Sequence, residues 1–229
     1  DNRNRTLYFT AGVFPIDEIE LSSDDKWLLG FQLGGKFILP SSGSTFEVGL
    51  AYYDYRNIAG QSNSIDSELL DYTSPDFMQK GNTLFQIANP SSVDSGSVSD
   101  VAPFGLVSDY NELNLTARMT FTHFAPTHIV VTADWVRNIG FDLDEISERT
   151  GGEYIINGGD QNEELAENID GYQLEVSVGW PVILERRAWR IFGAYRYLER
   201  DAVLDAFTDS DFHLGGTDAK GFIIGGQYG

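Results

Sequence analysis

The segment Asn111 to Phe124, NELNLTARMTFTHF, puts Leu113, Leu115, Ala117, Met119 and Phe121 on one parity and Glu112, Asn114, Thr116, Arg118, Thr120 and Thr122 on the other. Alternation at period two is the mark of a strand with one apolar and one wet face. The pattern recurs in eight segments: TLYFTAGVF from Thr6, KWLLGFQLGGKFIL from Lys26, TFEVGLAYYDY from Thr45, ELNLTARMTFTHF from Glu112, HIVVTADWVRN from His128, DGYQLEVSVGW from Asp170, AWRIFGAYRYLE from Ala188 and KGFIIGGQYG from Lys220. These runs are long, because ordinary globular strands average about 5 to 6 residues, whereas about 9 to 11 in a tilted strand cross a bilayer.

The connections alternate too. Pro40–Ser44, Ala125–Thr127 and Pro181–Arg187 are short and have turn composition, whereas residues 14–25, 57–110, 139–169 and 201–218 form long loops. Short turns at one end and long loops at the other are the habit of outer-membrane barrels. The expected fold is therefore all-β, an antiparallel up-and-down β-barrel of outer-membrane type with about eight strands over residues 1–229. Trp27, Tyr52, Tyr55, Trp180, Trp189, Tyr195 and Tyr197 lie toward segment ends, where amphipathic rings suit a membrane interface.

Composition removes several classes. No run approaches the roughly 18 to 20 apolar residues of a membrane helix. The formal net charge of -20 opposes nucleic-acid binding, which needs clustered Lys and Arg. With no cysteine, disulfides, thiolate metal sites and cysteine nucleophiles are ruled out. The polar parity carries Lys36, Glu47, Arg118, Asp134, Glu175, Arg190 and Arg196, with Glu112 beside them, and burying these unpaired in a sandwich core costs several kcal/mol each. They are the candidate lining of an aqueous lumen.

DYTSPDFMQKGNTLFQI (Asp71–Ile87), FGLVSDYNELNL (Phe104–Leu115) and GGTDAKGFIIGGQYG (Gly215–Gly229) resemble a family of porins from Gram-negative bacteria. The resemblance implies an outer-membrane barrel that passes small hydrophilic solutes or ions passively, in contact with membrane lipid and lipopolysaccharide. It also implies a homotrimer as the habit of the class, with no cofactor and no catalysis. Family members begin with a signal peptide and end in a strand with a terminal aromatic. This chain starts almost in a strand and stops in or after another, so it reads as part of a larger barrel.

Two other readings stay open: a non-conducting binding or adhesion barrel whose acidic loops meet a partner, and a soluble antiparallel β-protein. In the loop 57–110, Phe77, Lys80 and Phe85 are candidates for a constriction that folds inward, ahead of a Ser/Asp/Gly-rich tail from Pro90 to Asp100. Phe141–Glu153 and Gly158–Asn168 concentrate carboxylates without the spacing of an EF-hand, so no metal site is assigned. His213, beside Asp209 and Asp211, has no nucleophile or phosphate loop near it in sequence, which leaves it without a catalytic assignment.

Overall fold

The computed structural model describes residues 4–19, 23–64, 67–87, 103–156 and 164–229. In chain order its strands are β1 (Arg5–Asp17), β2 (Lys26–Ile38), β3 (Thr45–Arg56), β4 (Thr83–Gln86), β5 (Phe104–Leu106), β6 (Tyr110–Phe121), β7 (His128–Asn138), β8 (Ile155–Ile156), β9 (Asp170–Gly179), β10 (Trp189–Leu198) and β11 (Ala219–Tyr228), with one helix, α1 (Leu143–Thr150). The eight long strands coincide with the eight alternating segments. They form one antiparallel meander in the order β1-β2-β3-β6-β7-β9-β10-β11.

The sheet is not closed: among the described residues β1 pairs only with β2, and β11 only with β10. A closed eight-stranded barrel has an interior just wide enough for side chains. The inner face of this arc also carries folded loops.

Register keeps parity intact across the wall. One inner row reads Thr6, Lys36, Glu47, Arg118, Thr132, Glu175, Ala194, Ile223, and the next inner row reads Tyr8, Gly34, Gly49, Thr116, Asp134, Gln173, Arg196, Gly221. The outer row between them is Leu7, Gly35, Val48, Ala117, Ala133, Leu174, Tyr195, Phe222. Outer-face side chains stand in the open, with Leu7 76%, Phe222 79% and Ile224 86% exposed. So wide an apolar surface exceeds what soluble monomers leave uncovered.

Toward the loop end the outer face becomes aromatic and then charged. The Tyr172 ring lies 5.2 Å from that of Tyr197, Trp135 donates its indole N–H to Asp170 at 3.1 Å, and Arg137 pairs with Asp170 at 3.0 Å. Of the aromatics expected at an interface, Tyr55 is the exception. Its parity is inner, and it is buried beneath the loops rather than set on the outer rim.

The core of the described residues lies between the inner face and the loops. L2 (57–109) and L3 (139–169) share a small sheet, β5-β4-β8, and L4 (199–218) packs beside it. Ile58, Leu84 and Leu106 of L2 and Leu204 of L4 cluster with Tyr55 and Tyr110 of the wall. A second cluster joins Phe85, Ile87 and Val107 to Phe141, Ile146 and Ile169 of L3. The first acidic stretch thus has a structural use: Asp142 caps α1 by accepting from the N–H groups of Asp144 and Glu145, and Gly151, at φ 64°, ends it. The tail 90–100 and residues 158–163 of the second acidic stretch lie outside the described residues.

Within L2 two backbones touch at Gly60 and Gly105. A Cβ on Gly105 would stand 2.7 Å from the Gly60 Cα, where no side chain can yield. Gly105→Ala is expected to cost about 1–3 kcal/mol by overpacking, read as faster hydrogen exchange at the Gly60 amide, which donates to Leu106 O at 2.9 Å. Gly193→Ala on β10, where nothing lies closer than 3.9 Å, leaves that exchange unchanged; equal behaviour of the two variants would contradict the close-approach account.

Candidate functional site

All seven charged residues singled out from parity, Lys36, Glu47, Arg118, Asp134, Glu175, Arg190 and Arg196, point to the inner face. Their signs alternate along one row instead of segregating. Lys36 lies 2.9 Å from Glu47, and Glu47 is registered against Arg118 on its other side. Glu175 follows one strand after Thr132. Neighbouring strands are about 4.8 Å apart, so each charge of the Lys36–Glu47–Arg118 run sits beside an opposite one.

In the adjoining row Asp134 accepts from Asn114 Nδ2 at 2.9 Å and from the Thr116 hydroxyl. Arg196 donates Nε–H to Gln173 Oε1 at 2.6 Å, stands 3.7 Å from Asp209 and lies over the Phe212 ring. Arg190, near the turn end, donates to Gln227 at 2.7 Å.

The three loop candidates separate. Phe85 is buried in the L2–L3 cluster, away from the wall. Phe77 is exposed at a cavity shared with Ile16, Lys26 and Phe207. Lys80 holds L4 through its carbonyl, which accepts from Thr217 N–H at 2.8 Å, while its side chain is exposed. L2 does fold onto the inner face, but through Ile58, Leu84 and Leu106.

A wall of eight in-register strands, apolar outside and charged inside, with loops folded against its inner face, matches what the family comparison returns. The sequence profile of a family described as "Putative porin" matches residues 2–229. The chain belongs to this porin family. No curated protein and no solved structure gives a match.

The loops of the chain are fastened by a buried polar node that sequence reasoning missed. Asp201 accepts from Thr83 N–H at 2.8 Å, from the Thr83 hydroxyl at 2.6 Å and from Tyr110 Oη at 3.1 Å. Asn82 donates to the carbonyls of Arg200 and Val203 at 2.7 and 2.9 Å and accepts from Asp205 N–H at 2.7 Å. Asn138 donates to the carbonyls of Asp109 and Asp201. L2, L4 and two wall strands meet here, and L3 joins through the Asn168 carbonyl, which accepts from Asp201 N–H at 2.8 Å. Isolated loop Asn and Asp residues give no periodic signal; the only trace in sequence is the pattern Val203, Leu204, Ala206, Phe207, an apolar stretch inside an otherwise polar connection.

His213 packs edge-on against Phe212, makes no hydrogen bond to Asp209 or Asp211 among the described residues, and has a φ of 54°. Asp209 is turned to Arg196 instead.

Burial shifts two carboxyls of L4. Desolvation raises Asp205 from 3.8 to about 6, against the hydrogen bonds from Gln79 and Ala206 N–H and with a further push from Asp201. Desolvation also raises Asp201, opposed by its bonds from Thr83 and Tyr110 and by Arg200. The folded state therefore keeps these protons to higher pH than the unfolded chain does. Stability from this source is full below the ordinary carboxylate range and falls as pH rises from about 4 to about 6. The opening free energy at Gln79 N–H, which donates to Asp205, should fall over that interval in hydrogen exchange corrected for intrinsic rates. Asp205→Asn should flatten the slope, and a free energy that rises with pH would contradict it.

Proposed function

We propose that the protein is an outer-membrane porin that passes small hydrophilic solutes and ions passively along its inner face. The observation that carries this reading is the eight-strand parity: apolar side chains exposed on one face and the charged set gathered on the other. A protein in water has no reason to expose Leu7, Leu174 and Phe222, whereas hydrocarbon requires such a surface and demands that the spanning backbone satisfy its own hydrogen bonds. Membership of the porin family supports the same reading. Among the described residues no helix is long and apolar enough to cross a membrane, so the crossing elements in this reading are the strands.

In this arrangement the aromatic strip of Trp135, Tyr172 and Tyr197 lies at one headgroup level. The loop end faces outward, toward lipopolysaccharide, and the short turns face the periplasm. Lys36, Glu47, Arg118, Asp134, Glu175, Arg190 and Arg196 are the solute-facing residues. Because acid and base alternate on the wall, small neutral polar solutes pass as well as ions, and single charge changes set ion preference. No chemistry is performed and no cofactor is used.

Arg118→Glu places a third carboxylate in the row that already holds Glu47 and Glu175. The zero-current potential in a KCl gradient across a planar bilayer should move toward the potassium potential. Identical potentials in the two proteins would take Arg118 out of the path, and absence of any channel steps would favour a non-conducting binding barrel.

Val176→Arg tests the lipid face. At an exposed position in water it is nearly neutral, whereas in a bilayer arginine near midplane costs about 2–4 kcal/mol. Unfolding from lipid vesicles should show that loss for Val176→Arg and little for Thr132→Arg, which stands beside Glu175 on the inner face. Equal stabilities would place both faces in water.

A further inference from the structure

Between the inner wall and L4 lies a cavity of about 530 Å³, bounded by Tyr53, Tyr55 and Glu112 of the wall and by Leu204, Phe207 and Asp209 of L4. Its loop-side end is built mainly from rings and hydrocarbon, with the Phe207 and Tyr55 centroids 5.8 Å apart. One carboxyl group from the wall faces this end; the other wall carboxyl of the cavity, Asp134, lies four residues along and is held by Asn114 and Thr116. Glu112 is only 7% exposed, and its single hydrogen bond among the described residues is from Leu204 N–H at 3.3 Å. Among the described residues it has no ion pair.

The cation that lines the same cavity, Arg196, is elsewhere and occupied. In register it belongs with Thr116, Asp134 and Gln173, four residues along the wall from the Glu112 and Asn138 pair, or roughly 13 Å at about 3.3 Å per residue. Its guanidinium is taken by Gln173, Asp209 and the Phe212 ring. A desolvated carboxyl group beside aromatic faces, with no basic side chain on it, is costly to ionise alone, and an ammonium group carrying alkyl substituents is the partner that offsets that cost. The carboxylate supplies the opposite charge, and the ring faces supply cation–π attraction and apolar contact.

We propose that this cavity is a binding subsite for small organic cations of the alkylammonium class, with Glu112 as the counter-charge and Tyr53, Tyr55 and Phe207 as the surrounding walls. The inference rests on the reading of the inner face as the solute-bearing face, and it adds a place on that face where a solute stops. Phe207 reaches the site from L4, so the loop node at Asp201 and Asn82 holds one wall of the subsite in position.

The test is binding of choline chloride at pH 8.5 to the full chain folded in detergent micelles, followed by calorimetry, with 3,3-dimethyl-1-butanol as the uncharged isostere. Choline should bind at least about tenfold more tightly than the alcohol, and Glu112→Gln should remove about that factor, the scale of a desolvated cation–carboxylate and cation–π contact. Phe207→Leu, at an exposed loop position that tolerates the change, should weaken choline severalfold, while Glu148→Gln on the exposed face of α1 should not alter it. Equal affinity for choline and the alcohol, or wild-type choline affinity in both Glu112→Gln and Phe207→Leu, would overturn the proposal. So would absence of choline binding to a sample whose circular dichroism shows the folded sheet. Because binding is read in micelles, a chain that conducts but does not bind choline defeats this inference alone. A chain that binds choline but shows no channel steps defeats the porin reading and leaves the subsite standing.

Discussion

Strand pairing without an odd slip holds the whole arrangement together. From β1 to β11 each residue of the Lys36, Glu47, Arg118 row meets another of the same parity, so two faces drawn in sequence stay two faces in space. A shift of one residue in any pair would carry every following charge outward and every following leucine inward. The one irregularity, between Pro15 and Asp17 of β1, falls at the end of an edge strand, where a residue without an N–H does least harm to the ladder. Hydrogen bonding in the ladder and the apolar burial that a bilayer offers thus select the same register.

The second constraint is that the long loops have somewhere to pack. Tyr55, Tyr110, Leu28 and Tyr53 give the loop end of the inner face an apolar floor, on which Ile58, Leu84, Leu106 and Leu204 settle. Apolar contact alone does not orient a loop. The node of Asp201, Asn82, Thr83 and Asn138 does so, because buried donors and acceptors must be matched and only one placement matches them. Raised carboxyl groups at Asp201 and Asp205 are the cost of making that node from acids in a desolvated place.

These two constraints explain what could be read in advance. The eight strands, their faces, the long and short connections and all seven inner charges follow from period two, which a single strand such as NELNLTARMTFTHF already displays. Tyr55 departs from the interface because parity shows a face but not whether a loop covers it. Phe77, Lys80 and Phe85 are neighbours in sequence yet end in different surroundings, since loop positions are set by partners more than a hundred residues away, as Asp201 is from Thr83. Closure is likewise beyond the alternation pattern. Alternation sets the faces of a sheet, not the strand number and shear on which closure depends.

The central claim is that one parity meets lipid and the other meets water. The chain has no cysteine, so single cysteines can be placed one at a time from Leu113 to Thr120 of β6 and labelled with a nitroxide in reconstituted vesicles. Collision with oxygen, which concentrates in lipid, and with a water-soluble nickel chelate then reads each side chain's surroundings. Leu113, Leu115, Ala117 and Met119 should favour oxygen and Asn114, Thr116, Arg118 and Thr120 the chelate, in strict alternation. Accessibility to the chelate at every position, or alternation in the opposite phase, would contradict the account.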